Sequence, residues 1–202
     1  MSADISKNIN ENIFGAALQG RQAIAVRLLT AALTRKSLAN AYLLSGRALA
    51  DKWLMARLVA AFLNCQSRQN SPEPELWSCL TKSDLDDSYC QNCRWINDDE
   101  HPQAFLTLAG EGATGKIPVE KARKLTEELG KTSRYMRVVV IPQAEQDCLW
   151  TAPANALLKN IEEPQDNTLF LMFASSPEQV LPTIISRSQV LPTSIRSEVG
   201  FW

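Results

Sequence analysis

The chain has 202 residues, 45% of them hydrophobic, and a net charge of −1. That is enough apolar material for one medium domain with a full core, and too little charge for a whole-chain electrostatic grip on nucleic acid, which leaves only a local basic face. No run approaches the ~18 apolar residues of a membrane span, the mixed-charge opening "MSADISKNINENIF" lacks the form of a secretory signal, and five cysteines in that setting indicate reduced thiols, metal ligands or core packing in a cytoplasmic protein.

In chain order, "GRQAIAVRLLTAALTRKSL" carries Ile24, Leu28, Leu29, Ala32 and Leu33 at helical spacing, which predicts an amphipathic helix. "AYLLSG" is a short apolar run ending in Gly46 and reads as a buried strand. "DKWLMARLVAAFLNC" is apolar nearly all round and predicts a buried helix. Residues 65–100 turn polar, proline-containing and cysteine-bearing, which predicts a loop-rich insertion. "AFLTLAG" reads as a strand, and "PVEKARKLTEELGK" as a helix with Pro118 in its first turn and Gly130 as its stop. "RVVVIP" is a β-branched run suited to a central strand buried on both faces. "TAPANALLKNIEEP" predicts a helix that Thr151 caps and Pro164 follows. "TLFLMFA" is another buried strand, "PEQVLPTIISR" a short helix and "SQVLP" a last strand. Strands alternating with helices give an α/β fold with a parallel sheet covered on both faces.

Two stretches approach a phosphate-binding loop, which needs wrapping glycines, a lysine, a Ser or Thr for Mg²⁺, and a helix starting at that point. "GEGATGKI" has both glycines and Lys116, but Ile117 stands where the hydroxyl belongs. Pro118 then keeps the preceding residue out of helical geometry, so the stretch reads as a Gly-rich turn. "GRALADKW" follows a strand and precedes a helix, and only Gly46 and Lys52 fit. Asp51 replaces the second glycine with a carboxylate, and Trp53 replaces the Mg²⁺ ligand. An ATPase of this type also needs acidic groups at the end of a neighbouring strand. After "RVVVI" come Pro142 and Gln143, and Glu145 reads as a displaced, solvent-facing residue. The loop formed by Gly46, Asp51, Lys52 and Trp53 is therefore degenerate, and no ATP is expected on this chain.

A strand with a spoiled loop, followed by "ANALLKNIEEP" and then "TLFLMFASSPEQVLPTIISRSQVLP", resembles the DNA polymerase III delta-prime subunits of bacterial clamp loaders, over roughly residues 14–192. The resemblance implies an AAA+-like three-layer αβα domain and a subunit that does not itself hydrolyse ATP. It would serve sliding-clamp loading in DNA replication as part of the DNA-directed DNA polymerase holoenzyme. Its partners would be the ATPase and delta subunits and, through the complex, the sliding clamp and primer-template DNA. The resemblance also implies an arginine presented in trans to the ATP of a neighbour, from a Ser-Arg-Cys motif. Here the motif reads Ser186-Arg187-Ser188, with the arginine kept and the cysteine replaced. A fixed guanidinium there stabilises charge on a transferring γ-phosphate; the alternative for Arg187 is a cap on the C-terminus of its own helix. Lid and collar domains would follow in that family. The sequence ends soon after "SQVLP", so a shortened form is expected, with residues 1–202 as one AAA+-like domain and 65–100 as its insertion.

The Cys90 and Cys93 pair has C-x-x-C ligand spacing, which lets two thiolates face one metal. The family resemblance implies a four-cysteine zinc module, to which Cys65 and Cys79 would contribute. Ten residues separate Cys79 from Cys90 where the family has two. Closure of the longer loop costs little extra entropy, so zinc on Cys65, Cys79, Cys90 and Cys93 is expected, with free thiols as the alternative. Cys148 reads as a packed thiol. His101 reads as a turn residue before a strand, with a fifth-ligand role as the alternative. Trp53 reads as core. Trp77 and Trp95 flank the insertion, packing over it or stacking on bases. Trp150 covers the sheet end or an inter-subunit face. Two other functions compete with the clamp-loader reading: an active AAA+ ATPase, and a zinc-dependent DNA-binding module.

Overall fold

A computed structural model describes residues 13–71, 78–81, 89–164 and 167–194. Trp77, the opening segment and the terminal "GFW" lie outside them. In chain order the elements are α1 (Ala16–Arg21), α2 (Ala23–Thr34), β1 (Ala41–Ser45), α3 (Leu49–Asn64), α4 (Gln66–Gln69), α5 (Gln91–Asn97), β2 (Phe105–Thr107), α6 (Val119–Leu129), β3 (Arg137–Ile141), α7 (Thr151–Glu162), β4 (Thr168–Ala174), α8 (Pro182–Ile185) and β5 (Gln189–Pro192). The strands form one parallel sheet in the order β2-β3-β4-β1-β5.

The continuous apolar strands are what a sheet covered on both faces requires. Alternate side chains go to opposite faces. Tyr42, Leu44, Val138, Val140, Leu169, Leu171 and Phe173 pack with α2 and α3. Ala41, Leu43, Val139, Ile141, Phe170 and Met172 pack with α6 and α7. The result is the expected α/β fold with helices on both faces. Among the described residues no helix is long and apolar enough to cross a membrane.

Five local expectations need correction. The first predicted helix is two, broken at Gln22, whose φ of −126° is not helical. Within α2 the buried stripe is Ala25, Val26, Leu29, Thr30 and Leu33, while Ile24 is 53% exposed. Two apolar stripes overlap in that sequence, and the one containing small Ala25 and Val26 lets the helix approach the sheet. "PEQVLPTIISR" is not one helix: a 3₁₀ turn covers Pro177–Gln179 and α8 starts at Pro182. Proline holds the preceding Leu181 extended at ψ 132°, which forbids continuity. Thr151 opens α7 without capping it through its side chain; Trp150 is the N-cap, and its indole Nε1 donates to Ile117 O at 3.2 Å. Finally, residues 65–100 are not merely loops. They hold α5, whose Cys93 and Ile96 are buried in the same core as α3.

Candidate functional site

The loop at the end of β1 is short. Only Gly46, Arg47 and Ala48 separate Ser45 from the start of α3 at Leu49, too few to wrap a polyphosphate with backbone N–H groups. Gly46 has φ +139°, and a Cβ there would lie 1.6 Å from Thr193 O, so the residue leaving β5 packs directly on this glycine. Lys52 is 3% exposed and points inward. Its ammonium donates to Gly46 O and, at 2.8 Å, to Ala174 O. Burial pushes its pKa down to about 8, against the opposing attraction of Glu145. The lysine of the loop is thus consumed by two carbonyls at the ends of β1 and β4. Trp53 fills the Mg²⁺-ligand position with an indole, edge-on to Phe173 at 5.5 Å and tilted against Phe105 at 6.5 Å.

Asp51 is occupied as well. Arg21 reaches it with Nη2 at 2.8 Å and Nε at 3.0 Å to Oδ1, and Gln22 Nε2 lies 2.7 Å from Oδ2. Gln22 also grips Ser194, donating to its carbonyl at 2.7 Å and accepting from its N–H at 3.0 Å. Sequence patterning gives no sign of this cluster, because its contacts span 29 to 172 positions. The break between α1 and α2 at Gln22 was the one local trace it left.

Glu145 is not simply solvent-facing. It is half-buried beyond β3, and its Oε1 accepts from Ser175 N at 2.8 Å and Ser175 Oγ at 3.2 Å. The second loop candidate is a turn, as expected: Glu111 and Lys116 bridge antiparallel, Gly112 and Gly115 have φ near +60°, Lys116 is exposed, and α6 waits until Val119.

Arg187 follows α8. It pairs with Glu162 at the end of α7 and donates Nη1 to Thr183 O at 2.8 Å and Ser186 Oγ at 3.1 Å. The helix-capping contact is therefore made, while the ion pair with Glu162 holds the rest of the half-buried guanidinium. Arg187 stands where β1, β4 and β5 begin, beside Glu162, whose carbonyl accepts from Asn40 just ahead of β1. Gly46 and Lys52 stand where the strands end. A strand length, about 13 Å for four residues, separates Arg187 from the loop of its own chain.

The four cysteines of the insertion come together. Cys65 caps the C-terminus of α3, Cys79 sits in the 3₁₀ turn Cys79–Thr81, Cys90 is the N-cap of α5, and Cys93 lies in its first turn. Their sulfurs all lie within 4.8 Å of one another, with Cys65 to Cys79 at 3.5 Å and Cys65 to Cys90 at 3.9 Å. Tetrahedral zinc with Zn–S near 2.3 Å sets its sulfurs about 3.8 Å apart, so the donor set fits such an ion. The Cys90 N–H points at Cys79 Sγ, 3.4 Å away. The Cys65 thiol is pushed up to about 11, first by the hydrogen bond it receives from Cys90. Cys93 is pushed up by Cys65, Cys90 and burial, while Cys90 is held low by Cys65 and Cys93. His101 is no part of this set. Its Nδ1 accepts from Ala104 N at 2.9 Å and Gln103 N at 3.2 Å, fixing the turn before β2, and burial lowers its pKa. Trp95 lies edge-on to His101 at 5.6 Å. Cys148 is half-buried, and burial raises its pKa.

Residues 21–195 match the family model described as "DNA polymerase III, delta subunit". The chain belongs to that family. A DNA polymerase III subunit delta' of Bacillus subtilis is 30% identical over 83% of this chain and 46% of its own length. That of Escherichia coli is 33% identical over 50% of this chain and 30% of its own. A DNA polymerase III subunit gamma/tau of Mycobacterium tuberculosis is 30% identical over 81% of this chain and 26% of its own. The chain thus spans less than half the length of these relatives. Among solved structures, a DNA polymerase III gamma subunit-related protein of Thermotoga maritima aligns with a TM-score of 0.48 and 17% identity, over 90% of this chain and 47% of that one.

Proposed function

We propose that this member of the family is a non-hydrolysing delta-prime-type subunit of a clamp loader, supporting ATP-dependent loading of the sliding clamp and lending Arg187 to the ATP of a neighbouring subunit. The observation that carries the reading is the placement of Arg187 at the opposite end of the sheet from the chain's own loop. A guanidinium there is out of reach of a nucleotide on the same chain and could meet one on another only by exchanging its pair with Glu162. Its partner Glu162 is half-exposed, so exchanging that ion pair for a γ-phosphate costs little. The loop itself supports the same reading: its lysine is bonded to carbonyls, its glycine position holds a carboxylate, and its Mg²⁺ ligand is an indole.

In this reading residues 1–202 are the AAA+-type domain of a cytoplasmic subunit, with 65–100 as a zinc-bearing insertion. Cys65, Cys79, Cys90 and Cys93 hold the ion, which when bound supplies a fixed cross-link between α3 and α5 and no chemistry. The partners are the ATPase and delta subunits, and through them the clamp and primer-template DNA.

The test is a loader reconstituted with the parent chain or with Arg187→Ala. An arginine supplied in trans is worth about 10³-fold or more at the site it serves. The variant is expected to assemble normally while turnover at the facing site and clamp loading fall. Equal turnover and loading would refute the assignment of Arg187.

A further inference from the structure

We infer that Glu162 is a positioning residue for Arg187: it holds the edge of the guanidinium that a phosphate would take, and so sets how readily that arginine reaches ATP on a neighbouring subunit. The inference rests on the reading of Arg187 as an arginine supplied in trans, and names what restrains it.

The two edges of the guanidinium are held differently. Nη1 donates to Thr183 O at 2.8 Å and to Ser186 Oγ at 3.1 Å, within α8 and its C-cap, so this edge is anchored in the arginine's own turn. Nε and Nη2 both meet a single oxygen, Oε1 of Glu162, which comes from α7. That pair of nitrogens is a planar fork that clasps carboxylate and phosphate alike. A carboxylate therefore stands where a γ-phosphate would bind. Removing its charge leaves the two Nη1 anchors in place, so the guanidinium keeps its bearing while the fork is freed.

Glu162 does not serve its own helix. It is the last residue of α7, with Glu163 as the C-cap, and a helix C-terminus disfavours negative charge. The guanidinium that meets this carboxylate comes from another element. The backbones on both sides are fixed: Glu162 O accepts from Asn40 Nδ2 at 2.9 Å, and Ile161 of α7 is buried in one cluster with Ile184 of α8. The pair can then open by side-chain rotation alone. Both side chains are partly exposed, and an exposed pair shifts an equilibrium only about 2–5-fold. That is enough to hold the fork while no nucleotide faces it, and little enough for a γ-phosphate to displace.

The experiment compares loaders reconstituted with the parent chain, Glu162→Gln, Arg187→Ala and the Glu162→Gln/Arg187→Ala double variant, and reads ATP turnover below saturating ATP. Glu162→Gln keeps the size of the side chain and removes its charge. It is expected to raise turnover about 2–5-fold, and the double variant should match Arg187→Ala. A merely structural ion pair would leave turnover unchanged or lower it, and either result overturns the inference, as does a gain that survives in the double variant. In the chain alone, phenylglyoxal, which modifies free guanidinium groups, should react with Arg187 about 2–5-fold faster in Glu162→Gln than in the parent, read on the Arg187 peptide by mass spectrometry; equal rates also overturn the inference. Undiminished turnover with Arg187→Ala would sink the functional reading and this inference with it, whereas a loss with Arg187→Ala and no gain with Glu162→Gln sinks the inference alone.

Discussion

Lys52 turns its charged end inward to the ends of two strands. A buried ammonium hydrogen-bonded to Ala174 O and Gly46 O replaces lost hydration with two carbonyls, yet burial still brings its pKa from 10.5 to about 8. The unfolded lysine keeps its proton up to its ordinary value and the folded one releases it near 8. Between those values the unfolded state therefore binds more protons, and stability rises with pH. The contribution is on the order of 3 kcal/mol across the window. Denaturant midpoints of the parent, taken relative to Lys52→Met, should climb between pH 8 and 10.5; a constant difference would contradict the burial of the charged form. Asp51 and Trp53 were legible in the sequence as the wrong residue types for phosphate and Mg²⁺. Their actual partners were not, because Arg21, Gln22 and Phe173 come from distant positions. Glu145 reads as solvent-facing in the sequence for the same reason: its partner Ser175 arrives only when β4 is laid beside β3.

At the scale of elements, α3 is fastened at its end to two neighbours. Asn64 donates Nδ2 to Ala60 O and Met136 O, accepts from Met136 N with Oδ1, and offers its own carbonyl to Asn92 Nδ2. One side chain thereby joins α3 to the start of β3, while its backbone receives α5. Asn64→Ala would strip the part-buried backbone groups of Met136 of their partners, at a cost of about 1–2 kcal/mol, read as a lowered midpoint in chemical unfolding. The cysteines act at the same junction. Protein purified without chelator is expected to carry about one zinc per chain, to lose it on Cys93→Ser, and to melt at a lower temperature after chelation; a zinc content near zero would contradict the assignment. Elements with strong local signals, such as β3 with its β-branched run or α6 between Pro118 and Gly130, fall where the sequence puts them. The helix α5 does not announce itself, since seven residues of mixed polarity become helical only when Cys93 and Ile96 find α3.

For the whole molecule, the parallel sheet sets two chemistries at opposite ends. A closed loop lies where the strands finish, and an arginine tethered to Glu162 lies where they begin. A single copy of this domain cannot bring them together, and a ring or row of similar domains can. That geometry is what the proposed use of Arg187 in trans requires. The alternation of strands and helices was enough to place the layers, but not the ends of the strands at which Arg187 and Lys52 would lie, because strand order is a property of the assembled sheet. The most direct test is ATP hydrolysis by the purified chain alone, measured across a range of protein concentrations. The account predicts a rate indistinguishable from buffer at every concentration, and a rate that rises in proportion to the chain would contradict it.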